Sequence, residues 1–442
     1  MSPHGGPKSQ YRRALREGTR MSAPHTAETR RLDVWYGAEH VGTIHDTSPL
    51  AFEYVPAWLA RDAPMAIAAI ALQPGLNDSG AVQAFFENLL PEGELRQYLA
   101  QQRQASTLFS LLRAVAGDTA GGFVILPAGE KPEPPAYEPT TWKTLAETLR
   151  RRSAAAVDLQ GADTRISLAG AQDKLSLAIF ADGMPQLPKG ASPSTHILKP
   201  NIRRLAKVWH SAANEAIVMR TAMHCGLPTA EVFYEPHTQA CVVRRFDRTR
   251  VANGSLARLM QYDLCQLAGL TSDRKYEKEG GLSLGRCAEL IRRYSTQPAV
   301  DLRHFVNWIV FNLYVGNNDS HAKNLSLVHQ PGRGVSLTPC YDLMCTRLYP
   351  GLSPNFAFSV GGEFKPGSMT HAHLAALGRD LGMRPQFLAR QAIDLAARLP
   401  DALSRAVAEL RPALPHAGRD LARRLEKFVL STTKRMAARL AI

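Results

Sequence analysis

Residues 317–324, with the sequence NNDSHAKN, combine an acid and an amide at a spacing that suits phosphoryl transfer. Asp319 comes five positions before Asn324, and a second acid, Asp342, follows in TPCYDL (338–343). In phosphoryl-transfer enzymes the first acid of such a set accepts a hydroxyl proton, and the amide and the later acid hold magnesium against ATP phosphates. The spacing alone is also typical of ordinary loops, because Asn and Asp side chains bond to nearby backbone.

A lysine and a glutamate supply the next two members of the same constellation. Lys199 ends the strand-like run THILK (195–199), and Glu215 lies near the start of a predicted helix at 214–226. A kinase needs one strand lysine on the nucleotide phosphates, commonly steadied by a helix glutamate. Taken singly, Lys199 fits a solvated strand face, and Glu215 fits an acid that complements the helix dipole. The ordered set is much less expected by chance than any one member.

Two further segments have the character of nucleotide-binding backbone. The loop ISLAGAQDKLSL (166–177) is rich in small residues that let backbone amides approach an anion, and Lys174 adds positive charge. RRFDR (244–248) follows a buried strand, where backbone groups could bond adenine while Phe246 packs nearby. The alternatives are a tight hairpin turn for the first segment and a solvated Arg–Asp cluster for the second.

Histidine and cysteine spacings argue against a zinc site or a redox site. His321 could reach phosphate or metal, but with His304 and His329 it fits no H-E-x-x-H pattern of a metallohydrolase. The six cysteines include no C-x-x-C pair, so buried reduced thiols are expected.

We refer to residues 317–324 as the acid loop. Apolar spacing and turn residues predict the elements on either side of it. Apolar residues recur at helical intervals over 302–316, and Gly316 is expected to end that helix. The runs at 325–328 and 335–337 flank QPGRG and predict a hairpin. Four short runs predict an antiparallel sheet that carries the helix at 214–226: 175–180, 195–199, 231–234 and 240–243. From about residue 250 helical patterns dominate, ending in a basic amphipathic helix at 420–440.

The N-terminal part predicts a separate small α/β unit. RLDVWYGAEHVG (32–43) predicts two strands around a turn at Gly37. Three helices are expected at 81–90, 94–102 and 106–117. The proline-rich stretch at 130–142 predicts a boundary.

Composition and charge limit the class of protein. The 442 residues suggest two or three domains or lobes, and 45% hydrophobic with 21% charged residues is ordinary for a globular protein. The longest apolar run, 63–72, is too short to cross a bilayer, and the N-terminus has no apolar signal core, so a cytoplasmic protein with no membrane partner is expected. The net charge of +14 is concentrated at the two ends. A nucleic-acid partner would suit that charge, but solvated ends fit better because no aromatic-interleaved basic motif occurs.

These motifs resemble those of the HipA family, the kinase toxins of bacterial type II toxin–antitoxin pairs. The resemblance runs from about residue 32 into the C-terminal helices. Its matching stretches include FFENLLPEGELR, ISLAGAQDKLSL, NEAIVMRTAMHCGLP, RRFDR, RKYEKEGG, NNDSHAKN and LTPCYDL. Two departures are Arg244, where family members often carry Glu, and NNDSH in place of the commoner D-G-H. Neither departure removes a required group.

The resemblance implies an α+β protein with a protein-kinase-like bilobal fold, an extra N-terminal α/β subdomain and a large all-helical C-terminal lobe. The implied division of the chain is a basic, disordered tail at 1–31, an N-terminal HipA-type subdomain at 32–135, an ATP-binding region resembling a kinase N-lobe at 136–249, and a helical catalytic lobe at 250–442.

The same resemblance implies a role for each matching residue. Asp319 would be the catalytic base, Asn324 and Asp342 would bind Mg²⁺, and Glu215 would pair with Lys199. Ser167 matches an autophosphorylated serine whose modification switches the kinase off. The implied nucleotide-binding residues are Ala169, Gly170, Ala171, Gln172, Asp173, Lys174, Lys199, Arg244, Arg245, Phe246, Gln261, His321 and Tyr341.

The implied activity is transfer of the ATP γ-phosphoryl group to a protein Ser or Thr, with ATP and Mg²⁺ as cofactors. An aminoacyl-tRNA synthetase is the kind of target the family suggests. The implied partner is a small HipB-like helix-turn-helix antitoxin, which would connect the chain to operator DNA. Two alternatives stay open: a catalytically weak partner in a DNA-bound repressor complex, and a kinase of a lipid or small molecule.

Overall fold

The computed structural model describes residues 30–115, 117–151, 172–203, 205, 207–251 and 254–440. Its first sheet is antiparallel, with the strand order β4-β3-β2-β1-β5. The strands are β1 (Arg31–Tyr36), β2 (Glu39–His45), β3 (Ala51–Tyr54), β4 (Leu76–Asn77) and β5 (Phe123–Pro127). The helices between them are α1 (Pro56–Leu59), α2 (Gly80–Asn88), α3 (Gly93–Gln102) and α4 (Leu108–Val115). The predicted strand pair around Gly37 and the three predicted helices are confirmed.

A second antiparallel sheet follows, with the order β10-β11-β9-β7-β8-β6. Its strands are β6 (Tyr137–Pro139), β7 (Leu175–Ile179), β8 (Pro185–Pro188), β9 (His196–Lys199), β10 (Val232–Glu235) and β11 (Ala240–Arg244). The helix α5 (Trp142–Arg151) packs on one face through Leu145 and Leu149, and α6 (Ser211–His224) contacts β10 and β11. The four predicted strands and the helix at 214–226 are confirmed.

The region after residue 250 is mainly helical, as expected. Its helices are α7 (Leu264–Ala268), α8 (Leu284–Tyr294), α9 (Pro298–Val315), α10 (His371–Asp380), α11 (Pro385–Leu410) and α12 (His416–Leu440). A small sheet of β14 (Gln261–Asp263), β15 (Ser326–Gln330) and β16 (Gly334–Leu337) contains the predicted hairpin. Near it, β12 (Arg248–Arg250) pairs with β13 (Leu256–Arg258).

Helix α9 directly precedes the acid loop and fixes the position of its first residues. Pro298 occupies its first turn, where a missing N–H costs nothing, and Gly316 ends it with φ +73. Twelve of its residues are buried, so the helix cannot rotate without exposing core side chains. The buried carboxylate of Asp301 accepts hydrogen bonds from the Ser295 hydroxyl at 2.6 Å and the Leu337 amide at 2.8 Å. The helix is thereby fixed to β16.

Within the described residues, no helix is both long enough and apolar enough to cross a membrane.

Candidate active site

One cavity of about 570 Å³ is lined by residues from the N-terminal part, from the second sheet with α6, and from the region after residue 250. All of the predicted site residues that the structure describes lie along it: Gln172, Asp173, Lys174, Lys199, Glu215, Arg244, Arg245, Phe246, Gln261, Asp319, His321, Asn324, Tyr341 and Asp342. Ser167, Ala169, Gly170 and Ala171 lie outside the described residues.

Lys199 lies between two carboxylates at the inner end of this cavity. It is the last residue of β9, and its Nζ donates to Glu215 Oε1 of α6 at 2.6 Å and to Asp342 Oδ1 at 2.8 Å. Burial opposes the charge on the ammonium, but the two carboxylates outweigh that effect and raise the pKa of Lys199 above its usual range. The lysine therefore stays positive and ties the sheet to the loop that carries Asp342.

Asp342 adopts a backbone conformation that few side chains accept. Its φ is +58, in the left-handed region, where Asp is tolerated better than most residues. Cys340 holds the preceding backbone, because its amide donates to Pro228 O at 2.8 Å and its carbonyl accepts from the Ala230 amide at 2.9 Å. Burial disfavours the ionised carboxyl, but Lys199 holds the pKa of Asp342 well below its usual range. Asp342 is thus an anion in the cleft.

The acid loop is stabilised by its own amides. The Asn317 side chain donates to Asn312 Oδ1 at 2.8 Å, and the Asn318 backbone amide donates to the Thr346 hydroxyl at 2.8 Å. Asn324 Nδ2 donates to the carbonyl of Asp319 at 3.0 Å. Because that nitrogen is engaged, the amide oxygen of Asn324 is the atom left to coordinate a cation.

His321 enters the cavity as a neutral ring. Burial lowers the pKa of His321 to about 4, with the nearby acids only partly opposing it. Its buried Nδ1 has no hydrogen-bond partner among the described residues. An unpartnered buried nitrogen is costly. The described residues contain no group of three or more His, Cys, Asp or Glu side chains placed to hold a metal ion.

Aromatic and amide side chains also line the cavity. The rings of Phe246 and Tyr341 lie 5.4 Å apart, centre to centre. The Tyr341 hydroxyl donates to the carbonyl of Lys323 at 2.7 Å, and Gln261 Nε2 donates to the Ser326 hydroxyl at 3.2 Å. A flat aromatic base could stack against this wall.

We refer to residues 244–246, from the predicted adenine-binding segment RRFDR, as the hinge. Both of its arginines are paired with acids of the chain. The side chain of Arg244 forms an exposed ion pair with Glu231 at 2.9 Å. The backbone amide of Arg245 donates to Thr195 O at 2.9 Å, so it is not available to a ligand. Phe246 also lines the cavity, and its ring packs against Tyr341.

Sequence reasoning missed a buried charge cluster behind this hinge. Asp118, just after α4, is fully buried and accepts from Arg248 at 2.7 Å and from Arg258 at 3.1 Å. Arg245 forms a second buried pair with Asp247, 2.7 Å apart. Burial opposes ionisation of Asp118, but the three arginines hold its pKa well below the usual range. We refer to Asp118, Arg245, Asp247, Arg248 and Arg258 as the hinge cluster.

A second missed group lies where the N-terminal part meets the acid loop. Glu92 lies 2.7 Å from Lys275 and 3.1 Å from Lys323, and the Asn88 side chain accepts from Lys323 at 2.6 Å. Burial favours protonation of Glu92, yet the two lysines lower its pKa to about 2. Glu92 and Asn88 come from FFENLLPEGELR, which signalled the family but not these contacts.

Family models match two long stretches of the chain. The HipA N-terminal domain matches residues 32–126, and the HipA-like C-terminal domain matches residues 166–405. The protein Y4mE of Sinorhizobium fredii is 33% identical over 395 residues, which is 85% of this chain and 91% of that protein. The serine/threonine-protein kinase toxin HipA of Shewanella oneidensis is 28% identical over 407 residues, which is 88% of this chain and 92% of that protein.

A solved structure of the same family is also similar to this chain. The chain is similar to Shewanella oneidensis MR-1 HipA from a toxin–antitoxin complex of HipA, HipB and operator DNA. The TM-score is 0.79 at 26% sequence identity, over 93% of this chain and 99% of the other.

Proposed function

This chain belongs to the HipA family, and from that premise we propose that it is a toxin-type kinase that transfers the γ-phosphoryl group of ATP to a Ser or Thr hydroxyl of a protein. One observation carries the proposal. Lys199 contacts both Glu215 and Asp342, and Asp319 and Asn324 lie along the same cavity. Such an arrangement of lysine, helix glutamate, acid loop and second acid is what phosphoryl transfer from ATP needs.

The donor set of the cavity fits magnesium. Mg²⁺ prefers oxygen ligands and usually takes only one or two carboxylates from a protein, with waters and phosphates completing its shell. Asp342 and the amide oxygen of Asn324 are such ligands, and both line the cavity. Bound MgATP would supply the phosphoryl group and the cation that offsets its charge.

The described residues divide the remaining work between binding and proton transfer. Lys199 and Lys174 would hold the phosphates, and Phe246 with Tyr341 would pack the base. Asp319 would take the proton of the attacking hydroxyl as its oxygen bonds to phosphorus and the bond to ADP breaks. Positioned charge accounts for most of the rate in this chemistry, because little covalent work is left to the protein.

Membership of the family also suggests how this kinase would be regulated and which protein would bind it. We propose that Ser167 is autophosphorylated and that the added charge expels its loop from the nucleotide phosphates. The Shewanella relative was solved with HipB and operator DNA, which supports a HipB-like antitoxin as the partner of this chain. An aminoacyl-tRNA synthetase is the first protein target to test.

The test is phosphoryl transfer by the purified full-length chain. With labelled ATP, Mg²⁺ and cell lysate, we expect label on protein, and Asp319→Ala should lose at least about a thousandfold in rate because the proton acceptor is gone. Expression of the wild type should arrest growth, and expression of Asp319→Ala should not.

Three outcomes would count against the proposal. Label appearing in a lipid or metabolite would indicate a small-molecule kinase. Growth arrest that persists in Asp319→Ala would indicate a non-catalytic repressor partner. Absence of any ATP turnover by wild type with its antitoxin removed would end the kinase assignment.

A further inference from the structure

Three successive side chains of the segment 274–281, RKYEKEGG, contact three different parts of the site. Lys275 Nζ donates to Glu92 of the N-terminal part at 2.7 Å. The hydroxyl of Tyr276 donates to Oδ1 of Asp319 in the acid loop. Glu277 accepts from the Ser359 hydroxyl at 2.8 Å and from its amide at 2.6 Å, in the segment that follows Asp342. We refer to residues 274–281 as the linking segment.

Hydrogen bonds within the linking segment close it into a turn, so the backbone that carries these three side chains is held in place. Gly280 has φ +82, and a Cβ on Gly281 would meet the carbonyl oxygen of Arg274 at 2.2 Å. Arg274 Nη2 donates to Gly280 O at 2.8 Å, and the Gly281 amide donates to Tyr276 O at 3.0 Å. Only glycine fits this turn, which holds the backbone of Tyr276 in one orientation.

The contact between Tyr276 and Asp319 has a defined direction. Burial and the adjacent negative charge of Asp319 raise the pKa of Tyr276 far above its usual range. The phenol therefore keeps its proton and is always the donor. Its ring also packs edge-on against His321, with centroids 5.2 Å apart.

We infer that Tyr276 is a positioning residue for Asp319, and that the linking segment ties the orientation of this carboxylate to the N-terminal part and to residues after Asp342. The inference rests on the proposed kinase function. With Oδ1 engaged by the phenol, Oδ2 is the oxygen that receives the proton of the substrate hydroxyl. A carboxylate that rotates freely would present that oxygen only part of the time, and small misplacement is costly in catalysis.

The test compares Tyr276→Phe with the wild type in steady-state kinetics. The change removes one hydroxyl and leaves the ring against His321. We expect kcat to fall about ten- to hundredfold, which corresponds to the loss of one hydrogen bond to a charged group, while the KM for ATP stays within about twofold. Tyr294→Phe, at a half-buried tyrosine that ends α8, is the matched control and should change neither constant.

Ser359→Ala provides a second, independent variant. Glu277 then loses one of its two hydrogen bonds, and we expect a smaller loss in kcat, about two- to fivefold, again without a change in the KM for ATP.

Different outcomes separate this inference from the proposed function. If the wild type is active and Tyr276→Phe is equally active, the inference is wrong and the kinase assignment stands. If kcat and the KM for ATP change together and the protein melts at a lower temperature, Tyr276 has only a structural role, which also overturns the inference. If the wild type transfers no phosphate, the proposed function fails and the inference fails with it.

Discussion

Lys199 is the residue on which the electrostatics of the cleft depend. Its ammonium is 2.6 Å from one carboxylate and 2.8 Å from another, so it compensates two negative charges in a largely buried place. A nucleotide phosphate would bring further negative charge to this point. In the proposed function, Lys199 would hold the nucleotide phosphates, and Asp342 would hold the cation that offsets their charge.

Lys174 gives the site a predicted dependence on pH. Burial, and then the positive charge of Lys199, lower the pKa of Lys174 to about 8. The side chain is therefore mostly positive at pH 7 and loses its charge as the pH rises through 8. Because the charge attracts phosphate, we expect the affinity for MgADP to weaken as the pH rises from 7 to 9.

Calorimetric titration of MgADP at a series of pH values measures this effect. Lys174→Met should bind more weakly at pH 7 and lose most of the dependence, while Lys143→Met, an exposed lysine on α5, should behave as the wild type. An unchanged pH slope in Lys174→Met would show that another group is responsible.

Most of the residues that line the candidate site could be named from the sequence, because their motifs are local or resemble those of the HipA family. Asp319 and Asn324 share one loop, and Lys199 and Glu215 lie in neighbouring elements. Tyr276 and Glu92 could not be assigned in this way. Tyr276 meets an acid 43 positions later, and Glu92 meets a lysine 183 positions later, and no periodicity records such pairings.

At the scale of elements, the hinge cluster joins the N-terminal part to the residues after β11 and to the β12–β13 pair. Asp118 compensates Arg245, Arg248 and Arg258, and removing its charge would leave an excess of buried positive charge. We expect Asp118→Asn to lower the free energy of unfolding by about 3–5 kcal/mol. Denaturant titration measures the loss, with Asp62→Asn at an exposed position as the control.

A loss below about 1 kcal/mol in Asp118→Asn would contradict this view, because surface ion pairs contribute no more than that. It would mean that the three arginines find other compensation in the folded state.

The elements that the sequence predicted are those with strong local signals. Helix α9 has apolar residues at helical spacing and a glycine at its end, and the β15–β16 hairpin surrounds a Pro-Gly turn. Strand β8 begins and ends with proline, and β6 lies in the proline-rich stretch expected to be a boundary. Proline cannot donate in a ladder, so neither the edge strand β6 nor β8, which lies between β7 and β6, carries the usual sequence signal of a strand. Helix α5, with Leu145 and Leu149 on the sheet, was likewise not predicted.

At the scale of the whole molecule, the basic charge and the core occupy opposite faces of the last helix. In α12, Leu425, Val429 and Met436 are buried, while Arg423 and Lys434 are exposed. The predicted amphipathic helix is confirmed. Its apolar face packs within the chain, so the helix needs no partner for folding.

The most extensive hydrophobic cluster of the described residues runs from Leu32 in β1 to Leu440 at the end of α12, and two smaller clusters are separate from it. The hinge cluster and the contacts of Glu92 add buried charge pairs between the same parts.

A core as continuous as this one should melt as a unit, since no part can unfold without exposing apolar surface of the others. We therefore expect a single calorimetric transition for the full-length chain. A nucleotide at about 100 times its Kd should raise the stability of the whole by about 2.7 kcal/mol and leave the transition single. A separate low-temperature transition that MgADP does not shift would show that the N-terminal part folds independently, and that its contacts with the acid loop do not contribute to the active state.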